Sequence, residues 1–293
     1  MSSRIDTAKL YEWCRIPAEE LESHPDSKIH LKIFEQKKNA SVYLGNLMAD
    51  EVYRHNQKGK RTKWILPAGP MGQYEIFAKR VNEENISLKN VYVFHMDDFL
   101  DWQGRPYPVR NDYYSLKGNM LADFYGKIKP ELNIPEENRF FPDINNLDAI
   151  DKKIEEMDGV DTLIGGLGYK GLVAFCEAPN SPYYTISEEE YAKSKTRIVH
   201  LNEDTLISLS ERDMGGLTHN IPPMAVTMGF KSMLNTKRAI FLVTTGQWKR
   251  TAIRMLMFSE PTVEYPATLF PEYVKDVTVL TDPDSICPPL DTE

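Results

Sequence analysis

Six short apolar segments, residues 64–66, 91–94, 162–164, 197–201, 239–244 and 277–280, are separated by longer amphipathic stretches. This alternation is the strongest constraint on the fold. Short strands buried on both faces need helices on both faces, so the pattern predicts an α/β protein: a doubly wound, mostly parallel, Rossmann-like sheet. In such sheets ligands bind beyond the carboxyl ends of the strands. The chemistry is therefore expected just after each strand. Four segments fall there: PAGPMG (67–72), HMDDF (95–99), GGLGYKG (165–171) and TGQWK (245–249).

The remaining features bound the organisation. A chain of 293 residues can bury a substantial core. Residues 1–28 are polar and broken at Pro17 and Pro25, and are expected to form an N-terminal extension with one short helix after Pro17. Residues 29–293 are expected to form a single domain, opening with a helix over about 33–53. QGRPYPVRNDYY (103–114) is a long loop and a candidate lid. A net charge of −8 without Lys/Arg runs argues against nucleic acid and leaves room for a local basic pocket for a small anion. Cys14, Cys176 and Cys287 are far apart, which suggests neither a disulfide framework nor a metal cluster. No metal or organic cofactor is expected. With no long apolar run and no secretory signal, a cytoplasmic protein without a membrane span is expected.

Each strand-end segment carries a functional and a structural reading. In HMDDF, Asp97 and Asp98 point in different directions, so one is expected to face a pocket. A partly desolvated carboxylate there can act as a general base, or it can cap the next helix. In PAGPMG, Ala68 and Gly69 lie in a turn before a helix N-terminus. That is a natural phosphate site, although Pro67 and Pro70 remove donors and a purely structural turn is an equal reading. In TGQWK, Lys249 begins a helix against the macrodipole. A bound anion would explain it, and so would a solvated surface position. The glycines Gly165, Gly166, Gly168 and Gly171 can deliver backbone N–H groups to a ligand.

Taken together, LPAGPMGQY, VYVFHMDDF, SLKGNMLADF, DTLIGGLGYKGLVAFCEAP, TRIVHLNEDT, PPMAVTMG and AIFLVTTGQWKRTAI resemble, in order and spacing from about residue 30 to 285, the glucosamine-6-phosphate deaminase/isomerase family. That family shares its fold with the 6-phosphogluconolactonases. The resemblance implies a phosphosugar ligand, a proton moved between C2 and C1 through an enol-type intermediate, and release of ammonia from an amino sugar. It places the proton-shuttling acid at Asp97, the phosphate-holding cations at Arg212 and Lys249, and a glutamate supporting ring opening at Glu177. Ala68, Gly69, Gly166 and Gly168 fall in the sugar-phosphate loops. The family often forms oligomers, so a homo-oligomer is compatible with the resemblance, but no interface is legible.

The departures concentrate in one loop. Where the family has Gly-Asn-Asp-Gly-His, this chain has Gly168-Tyr169-Lys170-Gly171-Leu172. The ring-opening histidine has become Leu172, and its orienting aspartate has become Lys170. A family lysine of the allosteric site falls on Val199, after the longer insertion SPYYTISEEEYAKSK (181–195). Three functions remain open. One is an isomerase/deaminase with altered ring-opening chemistry, in which Lys170 binds an anionic group, polarises a carbonyl or forms an imine, or is merely a surface charge. His95 is an alternative proton carrier there, with a structural histidine as the default. The second is a phosphosugar-binding or regulatory paralogue. The third is a lactonase-like hydrolase.

Overall fold

A computed structural model describes residues 5–110, 113–179 and 185–290. The strands are β1 (His30–Ile33), β2 (Thr62–Leu66), β3 (Val91–His95), β4 (Asp97–Leu100), β5 (Arg139–Phe140), β6 (Val160–Gly165), β7 (Arg197–His200), β8 (Met224–Thr227), β9 (Thr236–Val243) and β10 (Asp276–Thr281). Seven of them form one sheet in the order β1-β10-β9-β6-β2-β3-β5, with every neighbouring pair parallel. The longer helices are α1 (Thr7–Arg15), α2 (Lys37–Gln57), α3 (Gly72–Glu84), α4 (Leu116–Asp123), α5 (Asp148–Glu156), α6 (Glu203–Met214) and α7 (Arg250–Phe258).

The doubly wound arrangement follows from side-chain alternation. Ile65, Phe94, Leu163, Phe241 and Val279 enter one apolar core. Their neighbours Trp64, Val93, Ile164, Leu242 and Leu280 enter a second core on the other face. With period-two alternation and both sets apolar, neither face of the sheet can be left to water.

Toward the amino ends of the strands one carboxylate is buried but fully engaged. Glu51 of α2 accepts the Trp64 indole N–H at 3.2 Å, the Thr162 hydroxyl at 2.9 Å and the Arg238 guanidinium at 2.9 Å. This network ties a helix to three strands.

Two expectations are corrected. Residues 197–201 do not join the parallel sheet; β7 lies in a separate antiparallel sheet of order β4-β8-β7. A strand, β1, precedes the helix expected over 33–53, which begins only at Lys37. The expected extension is packed into the same body. It carries α1 before Pro17 and, as expected, a short helix directly after it (Ala18–Leu21); Leu21 is fully buried in the first core, and Trp13 stacks on Phe258 at 6.0 Å. The buried Arg254 guanidinium donates to the carbonyls of Trp13 (2.8 Å), Ile16 (2.9 Å), Arg250 (3.2 Å) and Ile286 (3.0 Å). Among the described residues no helix is long and apolar enough to cross a membrane.

Candidate active site

Beyond the carboxyl ends of β2, β6 and β9 lies a cavity of about 1150 Å³. The close approach of the two loops that floor it depends on glycine. A Cβ on Gly166 would sit 3.1 Å from the Pro70 ring and 3.5 Å from the Gly69 carbonyl. The Tyr74 hydroxyl donates to the Pro67 carbonyl (2.6 Å) and the Gln73 amide to that of Pro70 (2.7 Å), fixing the 67–72 loop at the start of α3. Ala68, Gly69, Gly166 and Gly168 all line the cavity. The Gly168 N–H, however, is spent on the Leu172 carbonyl at 2.8 Å.

The two aspartates of HMDDF separate cleanly. After Met96 the chain starts β4 and pairs antiparallel with β8, Asp97 opposite Thr227. Asp97 lines the cavity. Asp98 faces away and accepts the N–H groups of Leu116 (2.7 Å) and Phe99 (3.0 Å), so it caps the start of α4. Among the described residues nothing donates a hydrogen bond to the Asp97 carboxylate. Burial, with the Asp98 charge beside it, pushes its pKa up to about 7. Asp98 is raised by burial to about 6, with its backbone donors pulling it back. His95 is structural: it bonds the Tyr125 hydroxyl at 2.8 Å and stacks on Phe141 at 4.0 Å. Burial holds it down to about 3, so it stays neutral.

The cations lie on the same cavity. Lys249 is only 4% exposed, yet it lines it. Its ammonium donates to the Leu167 carbonyl and lies 3.4 Å from the centre of the Trp248 ring. Burial, then the charge of Arg212, holds its pKa well below the usual lysine value. Arg212, on the last turn of α6, is paired with Asp213 (2.7 and 2.5 Å) and stands 6.0 Å from the same Trp248 ring. Two cations close enough to repel thus open onto one cavity.

Two expected residues are not brought to the cavity. Lys170, held at φ 51°, turns outward and pairs with Asp204 at 2.8 Å. Glu177 lies behind the cavity-lining Thr205 and accepts the Asn202 N–H at 2.8 Å, anchoring the start of α6. Burial raises its pKa. Leu172 does reach the cavity and packs against Gly168, where an added Cβ would meet its Cγ at 2.4 Å. Of the candidate lid, Tyr113 reaches the cavity and Tyr107 stacks on Tyr114 at 5.0 Å; residues 111 and 112 lie outside the described residues. Residues 181–184 of the insertion lie outside them too.

Some of the lining is not evident from the segments singled out in the sequence. Thr205, Ser208, Leu209 and Arg212 present one face of α6 to the cavity. Their i, i+3, i+4, i+7 spacing is the signal that would have revealed it. Trp248 sits directly before Lys249.

A parallel sheet with its cavity at the carboxyl ends, floored by glycine loops, places the chain in a fold class that comparison makes specific. No family model matches the chain. Among solved structures it is similar to a monomeric glucosamine-6-phosphate deaminase (TM-score 0.70, 22% identity, covering 87% of this chain and 98% of that one). It is also similar to a 6-phosphogluconolactonase from Trypanosoma cruzi (TM-score 0.63, 15% identity, covering 89% and 97%). Those two set the fold. Among sequences, it is 28% identical over 231 residues to a glucosamine-6-phosphate deaminase of Caenorhabditis elegans, covering 76% of this chain and 78% of that one. It is 27% identical over 258 residues to a glucosamine-6-phosphate isomerase of Candida albicans, covering 84% and 94%. By sequence the chain is thus similar, over most of its length, to glucosamine-6-phosphate deaminases and isomerases.

Proposed function

We propose that the protein is a sugar-phosphate isomerase/deaminase that takes a hexosamine phosphate, with glucosamine 6-phosphate as the default substrate, in open-chain form. The observation that carries this is the sharing of one cavity by an unpaired, buried acid, Asp97, and the cation pair Arg212 and Lys249. A phosphomonoester is close to a dianion at neutral pH and fits the cation pole. The sugar then extends toward Asp97. A carboxylate titrating near 7 is well matched to taking a proton from C2, beside the carbonyl, and returning it to C1. With an amino sugar, the resulting C2 imine is hydrolysed by water and ammonia leaves.

Leu172 sets the limit on this chemistry. It can neither give nor accept a proton, and Lys170 does not replace it, since it faces Asp204. Opening a pyranose ring is therefore unassisted, while the proton transfer at C2 and C1 keeps its base. The same observation favours a second reading, a phosphosugar-binding paralogue with little turnover. The lactonase reading rests on shared fold alone.

The test is Asp97→Asn, with ammonia and ketose phosphate as readouts. Turnover should fall by about 10²- to 10⁴-fold, the usual contribution of a general base. Affinity for glucosamine 6-phosphate by calorimetry should stay within a few-fold. Equal turnover by the variant would remove Asp97 as the base. Tight binding by the wild type without ammonia or isomer would select the binding paralogue.

A further inference from the structure

We propose that Trp248 is a positioning residue of the anion pole: its indole face holds the Lys249 ammonium in place without cancelling its charge. This rests on the reading of Arg212 and Lys249 as the phosphate-holding pair.

The two cations are restrained by different means. Arg212 is clasped by a carboxylate, Asp213, which neutralises it. Among the described residues no carboxylate pairs with Lys249. Its ammonium is held by the neutral Leu167 carbonyl and by the Trp248 ring at 3.4 Å. An aromatic face attracts a cation through its quadrupole and carries no net charge. An incoming dianion therefore need not displace a counter-ion from Lys249, as it must from Arg212.

The ring is itself fixed for this task. Its Nε1–H donates to the Thr245 carbonyl at 2.6 Å, and the ring stacks loosely on Tyr169 at 6.5 Å. Gly246, at φ 97°, supplies the turn that lets Thr245 fold back under the indole. Trp248 also lines the cavity itself. The ring thus sits where both cations meet: close beneath Lys249, and 6.0 Å from Arg212. A buried ammonium facing a neighbouring guanidinium would otherwise swing toward solvent, out of reach of a phosphate.

A cation–π contact of this kind contributes about 0.5–2 kcal/mol, or roughly 2- to 30-fold in affinity. The experiment compares Trp248→Phe, which keeps an aromatic face, with Trp248→Leu, which keeps apolar bulk alone. Glucosamine 6-phosphate and inorganic phosphate are titrated by calorimetry, with kcat and KM measured alongside. The expected result is near-wild-type affinity for Trp248→Phe and a 2- to 30-fold loss for Trp248→Leu. That loss should appear in KM, with kcat little changed. Equal affinities for the two variants overturn the proposal, because a packing role does not distinguish them in this way. If Trp248→Leu melts early, graded fluorination of tryptophan replaces it. Affinity should then fall with each added fluorine in the wild type and stay flat in Trp248→Phe; a flat wild-type series overturns the proposal. Failure of the wild type to bind either phosphate is a separate outcome. It removes the anion-pole reading itself, and this inference with it.

Discussion

Two carboxylates are buried at opposite ends of the same sheet, and they do opposite things. Glu51, toward the amino ends, meets an indole N–H, a hydroxyl and a guanidinium. Asp97, beyond the carboxyl ends, meets no donor among the described residues, and its neighbour Asp98 adds a like charge. Burial costs a carboxylate its hydration in both places. At Glu51 protein donors restore what water gave, and the residue is structural. At Asp97 no described residue does, so the proton is held to near-neutral pH. Burial alone marks neither role; the partners decide.

Stability should separate the two most strongly. Glu51→Ala leaves Arg238 without its carboxylate, and breaking such a buried pair typically costs about 3–5 kcal/mol. Asp97→Asn should act in the other direction. The folded pKa of Asp97, about 7, lies above its unfolded value of about 3.9, so the native state holds this proton to higher pH. The group's stability is therefore complete below pH about 4 and is lost as pH rises through 7. Three units at about 1.4 kcal/mol each set a ceiling near 4 kcal/mol. Water at the cavity mouth should reduce the gain from Asp97→Asn to about 1–2 kcal/mol. Urea denaturation at pH 4 and pH 8 checks both, and a gain from Asp97→Asn at pH 4 as large as that at pH 8 would break the contrast.

The next effect is kinetic. If Asp97 must be ionised to take the proton, kcat/KM should rise about tenfold per unit from pH 5 to about 7 and then level. Measuring glucosamine 6-phosphate binding over the same range separates the second ionisation of the phosphate. A flat profile would mean the acid is not the base. The smallest effect is expected at Lys170. Its pairing with Asp204 is half in solvent, with the lysine side chain 56% exposed, so Lys170→Ala should cost less than about 1 kcal/mol and change turnover less than twofold. A tenfold loss of turnover would bring Lys170 back into the chemistry.

The strands were legible where apolar runs were long, and so was the end of the sheet that holds the ligand. β7 was misplaced because Arg197, Ile198, Val199 and His200 alternate in exposure. That is the mark of a half-open antiparallel strand. β4 was hidden by brevity, since one methionine separates it from β3. Asp97 and Lys249 are legible as cavity residues because they follow strands, whereas Arg212, on a helix, is legible only through its resemblance to a family motif. Glu177 and Lys170 were assigned by motif position, which fixes where a residue sits in the chain and not which way it points. Trp248 escaped because an aromatic residue before a lysine carries no signal until the ring is seen beneath the ammonium.

The four carbonyls around Arg254 have a practical consequence. This arginine belongs to α7, the helix that begins just after Lys249, and two of its acceptors, Trp13 and Ile16, come from the opening segment of the chain. Trimming the protein to the apparent start of its sheet would leave that guanidinium with two of its four carbonyls, those of Arg250 and Ile286. The disturbance would then fall within about one and a half helical turns of Lys249.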